Sequence, residues 1–405
     1  MPHGTCQKRS PKNNKMEGPF SRFACHATHD GFTDMLYVFF PVWQAQMVLS
    51  FAQVGLLKTV FSGALALFQI PSGMLSERVG ERALLVAGTI LTSLAVFFYG
   101  WSSSPLMLCL LLFCGGLGAS VQHPISSSVV LNVYRGGELR TALSTFNFSG
   151  DIGKLIVPAL AAFLISCYSL STSSILLSLF GFVSTGIIFY ALKDVTQESQ
   201  STTIVDCSNA NISELSFRGI FNPGFVSLSI IALIDSSTRT VFLTFFPFLL
   251  QGKGAGIATI GFALSLVFAG GAVGKYVCGV LATRVGILRS VCLTELVTAI
   301  CVASMIVLPL NESLLLAPFL GIALNGTSSV LCGSVSELVP EEYSKRAFSV
   351  YYTVAIGSGA IAPTLFGSLG DILGIKYATA IVAAFVLFVI PLTLPLRGKL
   401  GSQQA

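Results

Sequence analysis

The chain has 405 residues, 53% of them hydrophobic and only 10% charged, with a mean hydropathy of +0.80 and a formal net charge of +5. Soluble domains carry roughly 25% charged residues, and a water-facing surface cannot hide so much apolar side chain, so a soluble globule is excluded. At ~20 residues per membrane span the length admits about a dozen helices, which also excludes a receptor with a single anchor.

Residues 1–23 read as a basic arm, with Lys8, Arg9, Lys12, Lys15 and Arg22 interleaved with Pro2, Pro11 and Pro19. No apolar core precedes a small-residue cleavage site, so the arm is not read as a signal peptide. Ahead of a membrane span such a charge run sets topology, and no nucleic-acid partner is expected. Apolar runs separated by Gly, Pro and polar breaks then predict helices at about 24–48, 54–75, 83–101, 105–133, 141–167 and 172–192. After a polar linker at 193–221, six more are predicted at about 222–250, 256–282, 289–309, 313–338, 346–370 and 376–396, with a tail at 397–405. The expected domains are therefore two six-helix bundles, 24–192 and 222–396. With twelve spans, Arg78, Arg82, Arg135, Arg140, Arg284, Arg289, Lys345 and Arg346 share a side with the basic arm, while only Lys253 and Lys376 fall in loops on the other. That bias puts both termini in the cytosol of a multi-pass protein, expected in a plasma or inner membrane.

Sliding the chain against itself by 206 positions superposes its rarer residues without a gap. Phe39, Phe40 and Pro41 fall on Phe245, Phe246 and Pro247; Gly55 on Gly261; Gly73, Arg78 and Gly80 on Gly279, Arg284 and Gly286; Arg140 on Arg346; Gly153 on Gly359. Two parallel copies of six helices imply a pseudo-two-fold axis along the membrane normal, with a cavity where the halves meet.

The loop Gly73-Met-Leu-Ser-Glu77-Arg78-Val-Gly80-Glu-Arg82, echoed by Gly279-Val-Leu-Ala-Thr-Arg284-Val-Gly286, resembles the signature of the major facilitator superfamily. Within it, His26-x-x-x-Asp30 followed by Pro41, His123-Pro124, and Arg239 before Phe245-Phe246-Pro247 are similar to the fosmidomycin-resistance branch. Glu77 and Thr283 depart from the acid expected in the two loops. The resemblance implies an all-α membrane protein with the major facilitator fold, twelve transmembrane helices in two pseudo-symmetric bundles that act as a monomer. It further implies proton-driven antiport exporting a small organic or drug-like solute. An uptake symporter for an organic acid or phosphorylated solute is also compatible, as is a transport-inactive sensor or scaffold on the same fold. Expected partners are a small-molecule substrate, protons and the lipid bilayer.

Ionisable residues inside a span cost roughly 2.5–3.5 kcal/mol each on insertion scales and call for partners or a wet cavity. Asp30 and Asp34, with Asp151, are the proton-coupling candidates; Asp30 is the position matched by the resemblance. The residues His26, Asp30 and Asp34 are spaced by four and share one helical stripe, although His26 and His29 could equally sit in headgroup water. Two further pairs, Asp151 with Lys154 and Asp235 with Arg239, could each be neutralised within one helix; alternatively Lys154 and Arg239 reach toward an anionic substrate, joined by Lys275. Lys58 and Glu295 are expected near helix ends. His123, at a proline kink, together with Gln122, Asn147 and Asn325, completes the substrate-binding candidates. The gating candidates are Gly73, Glu77, Arg78, Gly80 and Arg82, with Arg140, Gly279, Arg284, Gly286 and Arg346, where glycines would let helix ends approach and charges would bridge them. The ten cysteines show no CxxC pair and no His/Cys cluster at metal spacing, so no metal is expected. No Walker loop, GxSxG, HExxH or dinucleotide fingerprint occurs, so neither an enzyme nor an ATP-driven pump is expected; the energy source is a proton gradient, with no cofactor.

Overall fold

The computed structural model describes residues 17–122, 124–125, 136–191, 221–340 and 343–397, without the side chains of 17–25, 77, 136–144, 191 and 344–345. The first expected span is α1 (Glu17–Asp34) followed directly by α2 (Leu36–Met47). The interruption at Met35 is slight, because its amide still donates to Gly31 O at 2.8 Å. The remaining helices of the first half are α3 (Phe51–Val79), α4 (Glu81–Tyr99), α5 (Pro105–Ala119), α6 (Gly136–Cys167) and α7 (Leu170–Ala191). The second half holds α8 (Pro223–Gln251), α9 (Ile257–Val285), α10 (Ile287–Val307), α11 (Leu310–Gly333), α12 (Ser344–Leu373) and α13 (Ile375–Val386).

Among the described residues, ten helices are individually long and apolar enough to cross a membrane. The other two expected spans are α1 with α2, and α5, whose expected continuation to residue 133 lies mostly outside the described residues. Several boundaries follow from local chemistry. Ser50 starts α3 with a capping box to Gln53, Ser104 caps α5 ahead of Pro105, and Asn222 caps α8 ahead of Pro223. At the far ends of α3 and α9, Gly80 and Gly286 adopt φ of 93° and 89°. Side chains rarely tolerate that conformation, so these two loop glycines are required by the backbone turn itself.

In the first half α1 packs on α6 and α7, α4 on α5 and α7, and α3 on α5; in the second, α9 packs on α11, α8 on α12, and α10 on α11 and α13. The halves meet along α3–α12 and α6–α9, with α2 against α8. Because the 206-residue shift maps α3 onto α9 and α6 onto α12, these two seams are one contact formed twice. Thr59 Oγ1 donates to Ala360 O at 2.6 Å across the first seam, and its repeat partner Ser265 Oγ donates to Leu155 O at 2.7 Å across the second. Lipid tails are as apolar as side chains, so close backbone approach and hydrogen bonds must hold such seams. Gly55 accordingly lies against the Pro363 backbone, and Gly261 against Ala162 and Pro158.

The apolar cores show how the halves are inclined. At the face carrying the α2–α3 turn, one continuous core joins both halves, including Phe39, Trp43, Phe61, Phe246, Leu264 and Met305. Toward the opposite face it gives way to two separate cores, one of Leu85, Val121, Ile125 and Ile188, the other of Phe225, Ile231, Val291 and Tyr351. Among the described residues the halves are thus packed together at the α2–α3 face and part toward the other.

Candidate functional site

Between the two halves the helices carry an unusual density of buried charge. On α1, His26, His29, Asp30 and Asp34 are all buried. Asp30 Oδ2 lies 3.3 Å from Lys154 Nζ of α6, and its carboxylate is 3.7 Å from His26 Nε2 and 3.9 Å from His29 Nε2. The approach depends on missing side chains: a Cβ at Gly153 would overlap the backbone of Ala27, and one at Gly150 would strike Asp30 and His26. His26 stacks on Phe146 at 4.0 Å between ring centroids, which fixes the imidazole beside the carboxylate.

Deeper along the same stripe, Asp34 interacts with Lys154, Lys58 and Arg239, so charges from both halves converge on it. Lys58 is fully buried in α3, its ammonium 4.6 Å from the Tyr37 ring centroid and 5.8 Å from that of Phe61. An ammonium over aromatic faces gains electrostatic compensation without surrendering a hydrogen bond to another anion. Glu295 is equally enclosed, in α10, at 1% exposure. The expectation that Lys58 and Glu295 sit near helix ends is therefore corrected; each lies about two turns inside its helix, where snorkelling to water is out of reach.

Asp151 and Lys154 do not neutralise each other in a closed pair on α6. Asp151 instead receives two hydrogen bonds from Lys275 Nζ of α9, at 2.6 and 2.8 Å, across the seam between the halves. Lys154 turns to Asp30. Its side chain as a whole stays 32% exposed even while the ammonium is paired. Arg239 is half-buried on α8 and acts on Asp34 as well as on Asp235, one turn away.

The polar candidates divide. Gln122 is buried and donates to Thr89 at 2.8 Å, inside the first half; Thr327 donates to Thr294 at 2.8 Å in the second, a like bond between the corresponding helices. Asn325 is half-buried against Gly271 of α9, with a 3.4 Å bond to Gly321 O in its own helix, and Asn147 is exposed. His123, the Glu77 side chain and the Arg140 side chain lie outside the described residues.

The loop glycines stand apart from the other described helices in this conformation. Among the described residues a Cβ at Gly279 would meet nothing, and one at Gly73 would touch only Pro124 Cβ at 4.0 Å, so no described helix end closes on either. Arg78 and Arg284 are exposed, and Arg346 is half-buried. Arg82 is engaged, but with its own half: it donates to Phe189 O at 2.6 Å and covers the Phe189 ring at 4.2 Å. This face is the one at which the cores separate, which is why its glycines stand clear.

Sequence reasoning missed the latch at the packed face. Asp371, near the end of α12, accepts from the amides of Phe51 at 2.6 Å and Ala52 at 2.9 Å, the first residues of α3. A carboxylate at a helix N-terminus satisfies orphan donors and meets the positive end of the helix dipole. Phe51 also packs edge-on against Phe245 and Phe248 of α8. Nearby, Lys253 in the α8–α9 turn donates to Met305 O at 2.5 Å and Ser313 Oγ at 2.7 Å. Burial, with Lys376 nearby, holds that ammonium's pKa below the usual lysine value. Among the described residues no three His, Cys, Asp or Glu side chains are grouped to hold a metal ion.

The model of the Major Facilitator Superfamily matches residues 23–226 and 228–404. The fosmidomycin resistance protein of Escherichia coli (strain K12) is 28% identical over 143 residues, 35% of this chain and 35% of that protein, so the match spans about a third of its length. The MFS-type transporter YfnC of Bacillus subtilis (strain 168) is 24% identical over 388 residues, 93% of this chain and 92% of its own. The multidrug resistance protein MdtL of Shewanella oneidensis is 20% identical over 220 residues, 54% of each chain. Among solved structures, a bacterial homolog of the human lysosomal transporter Spinster, inward-facing and occupied, superposes with a TM-score of 0.77 at 14% identity, covering 94% of this chain and 96% of that one.

Proposed function

The chain belongs to the Major Facilitator Superfamily, and on that basis we propose that it exports a small organic or drug-like solute in exchange for protons. It is a multi-pass membrane transporter and not an enzyme, with relatives that include drug-resistance proteins. The observation that carries the finer reading is the Asp30–Lys154 pair, set between halves that are packed at one face and parted at the other. We place that packed face outside the cell and the termini in the cytosol of a plasma membrane, as the distribution of Lys and Arg favours. The conformation is then inward-facing.

Protonation of Asp30 removes the charge that holds Lys154 and frees the ammonium to turn into the interior. Asp34 and Arg239 supply charges of both signs for orienting a solute there. Asp151–Lys275 ties the halves along the α6–α9 seam and must be broken or stretched when they rock. Protonation shifts the balance of orientations only to the extent that the two orientations differ in proton affinity, so the pair must be more exposed to one side in each.

The pairing of Lys154 with Asp30 also allows a second reading. An anionic solute that takes Lys154 removes the ammonium from Asp30 and favours uptake of a proton there, so anion and proton would bind together, as in an uptake symporter for an organic acid. Fosmidomycin, the phosphonate after which one relative is named, is the first probe. Proteoliposomes loaded with it and diluted into acidic buffer should lose it faster than at equal pH, with the excess abolished by a proton ionophore and by Asp30→Asn. Accumulation driven by the same acidic exterior would replace antiport with symport. Drug-like cations run in parallel separate a wrong probe from a wrong mechanism.

A further inference from the structure

The second half holds a pair of acids that the mechanism above does not use. Asp235 of α8 and Glu295 of α10 are buried to 5% and 1% exposure, and their carboxyl groups face each other across the two helices. Ionised carboxylates only accept hydrogen bonds and repel each other, so two of them buried side by side call for a proton between them. We propose that Asp235 and Glu295 form a proton-binding site in the second half, holding one proton between the two carboxyl groups, separate from Asp30.

The charge balance around the pair supports this. Among the described residues, the one positive side chain that acts on both acids is Arg239, one turn from Asp235 on the same helix. Two carboxylates and one guanidinium leave a net negative charge in a water-poor interior; a single bound proton makes the cluster neutral, as burial demands. The other titratable neighbours are Cys292 on α10, Cys278 on α9 and Tyr351 on α12; none brings a positive charge.

A second observation points to an occupant. Among the described residues, Glu295 Oε1 is buried without a hydrogen-bond partner, and so are the hydroxyls of Thr298 and Thr238, which lie one turn beyond Glu295 and Asp235 on α10 and α8. Orphaned oxygens gathered on the two helices that carry the acids are placed to receive a proton on its way in or out. At the repeat-related positions the first half has His29 and Thr89, so duplication alone does not account for the acid pair. Proton entry breaks no covalent bond within the protein: a hydronium ion gives its proton to a carboxylate oxygen and leaves as water, and the reverse step returns it.

The site stands whether or not transport proves to be proton-coupled, so its test does not use flux. Infrared spectra of the full chain in lipid bilayers should show the carbonyl stretch of a protonated carboxylic acid at neutral pH, sensitive to deuterium exchange. Glu295→Gln and Asp235→Asn should each remove that band, whereas Asp30→Asn should leave it. Both substitutions allow a hydrogen bond between the positions without a shared proton, so the fold should be retained; if one variant does not fold, the other decides. Absence of the band from the unmodified chain, or its survival in both variants, overturns the proposal. Thermal stability is then compared in sodium and potassium chloride. Equal values agree with a proton, while stabilisation by sodium alone that disappears in Glu295→Gln overturns it in favour of a metal cation.

Discussion

Replacing Asp371 with Asn or Ala should loosen the packed face. Its carboxylate accepts two amide bonds, at 2.6 and 2.9 Å, from the start of α3, and they connect the first half to the second. Hydrogen bonds to a charged group contribute about 1.5–3 kcal/mol when protected, but both of these are exposed, and solvent screening reduces the pair to about 1–2 kcal/mol in total. That corresponds to a roughly 5–30-fold change in a two-state ratio. Asp371→Ala should lose all of it, and Asp371→Asn, which retains an acceptor oxygen without the charge, about half. The assay places a single cysteine at Ala362, buried at 5% beside Pro363 on the same seam, in a chain cleared of its ten native cysteines. A membrane-impermeant thiol reagent added from the α2–α3 side should label it several-fold faster in either variant. Because the bonded amides belong to the backbone, no side chain on α3 can be removed to mimic the effect. An unchanged rate in Asp371→Ala would refute the idea that this contact holds the face closed.

Further outcomes follow from the same geometry. Separately, Lys275→Met and Asp151→Asn should lower the melting temperature, and the double variant should fall short of their sum by about 1 kcal/mol or less, since Lys275 is partly exposed; full additivity would deny the contact. Gly153→Leu should cost at least ~1–3 kcal/mol by overpacking against Ala27, whereas Gly279→Leu, which meets open space, should be tolerated in the same expression and thermal-shift assay. For Lys253, the ammonium pKa is lowered from 10.5 in the folded chain. Below the folded value both states are protonated and the burial cost remains. As pH rises from there toward 10.5 the unfolded chain holds more protons, so stability rises. Lys253→Met should remove that alkaline increment from a plot of melting temperature against pH.

The repeat and the order of helices were legible because membrane burial imposes length and polarity on every segment and duplication preserved its rarer residues. Thr59 and Ser265, or Gly55 and Gly261, do at each seam what their 206-residue spacing implies. The charge pairing was not legible. Asp151 sits three residues from Lys154, the spacing of neighbours on a helix, yet each finds its partner on another helix, because Gly150 and Gly153 let α1 press against α6 and bring Asp30 to Lys154. A pattern local to α6 carries no information about that approach. Lys58 and Glu295 are hard to place from sequence for a related reason: uncertain helix ends make their depth uncertain. Asp371 gave no signal, since its oxygens serve backbone amides, which any sequence provides.

The most direct test of the central claim, that two halves rock about a charged interior, is a pair of spin-label distances followed in one sample series. Labels at Gln53 and Ser368 report the packed face, and labels at Val79 and Val285 report the ends of α3 and α9 at the parted face. When pH is lowered, or Asp30 is replaced by Asn, the account predicts that a population with a longer first distance and a shorter second distance grows in both pairs together. Distances that move in the same sense at both faces, or that ignore both perturbations, would contradict it.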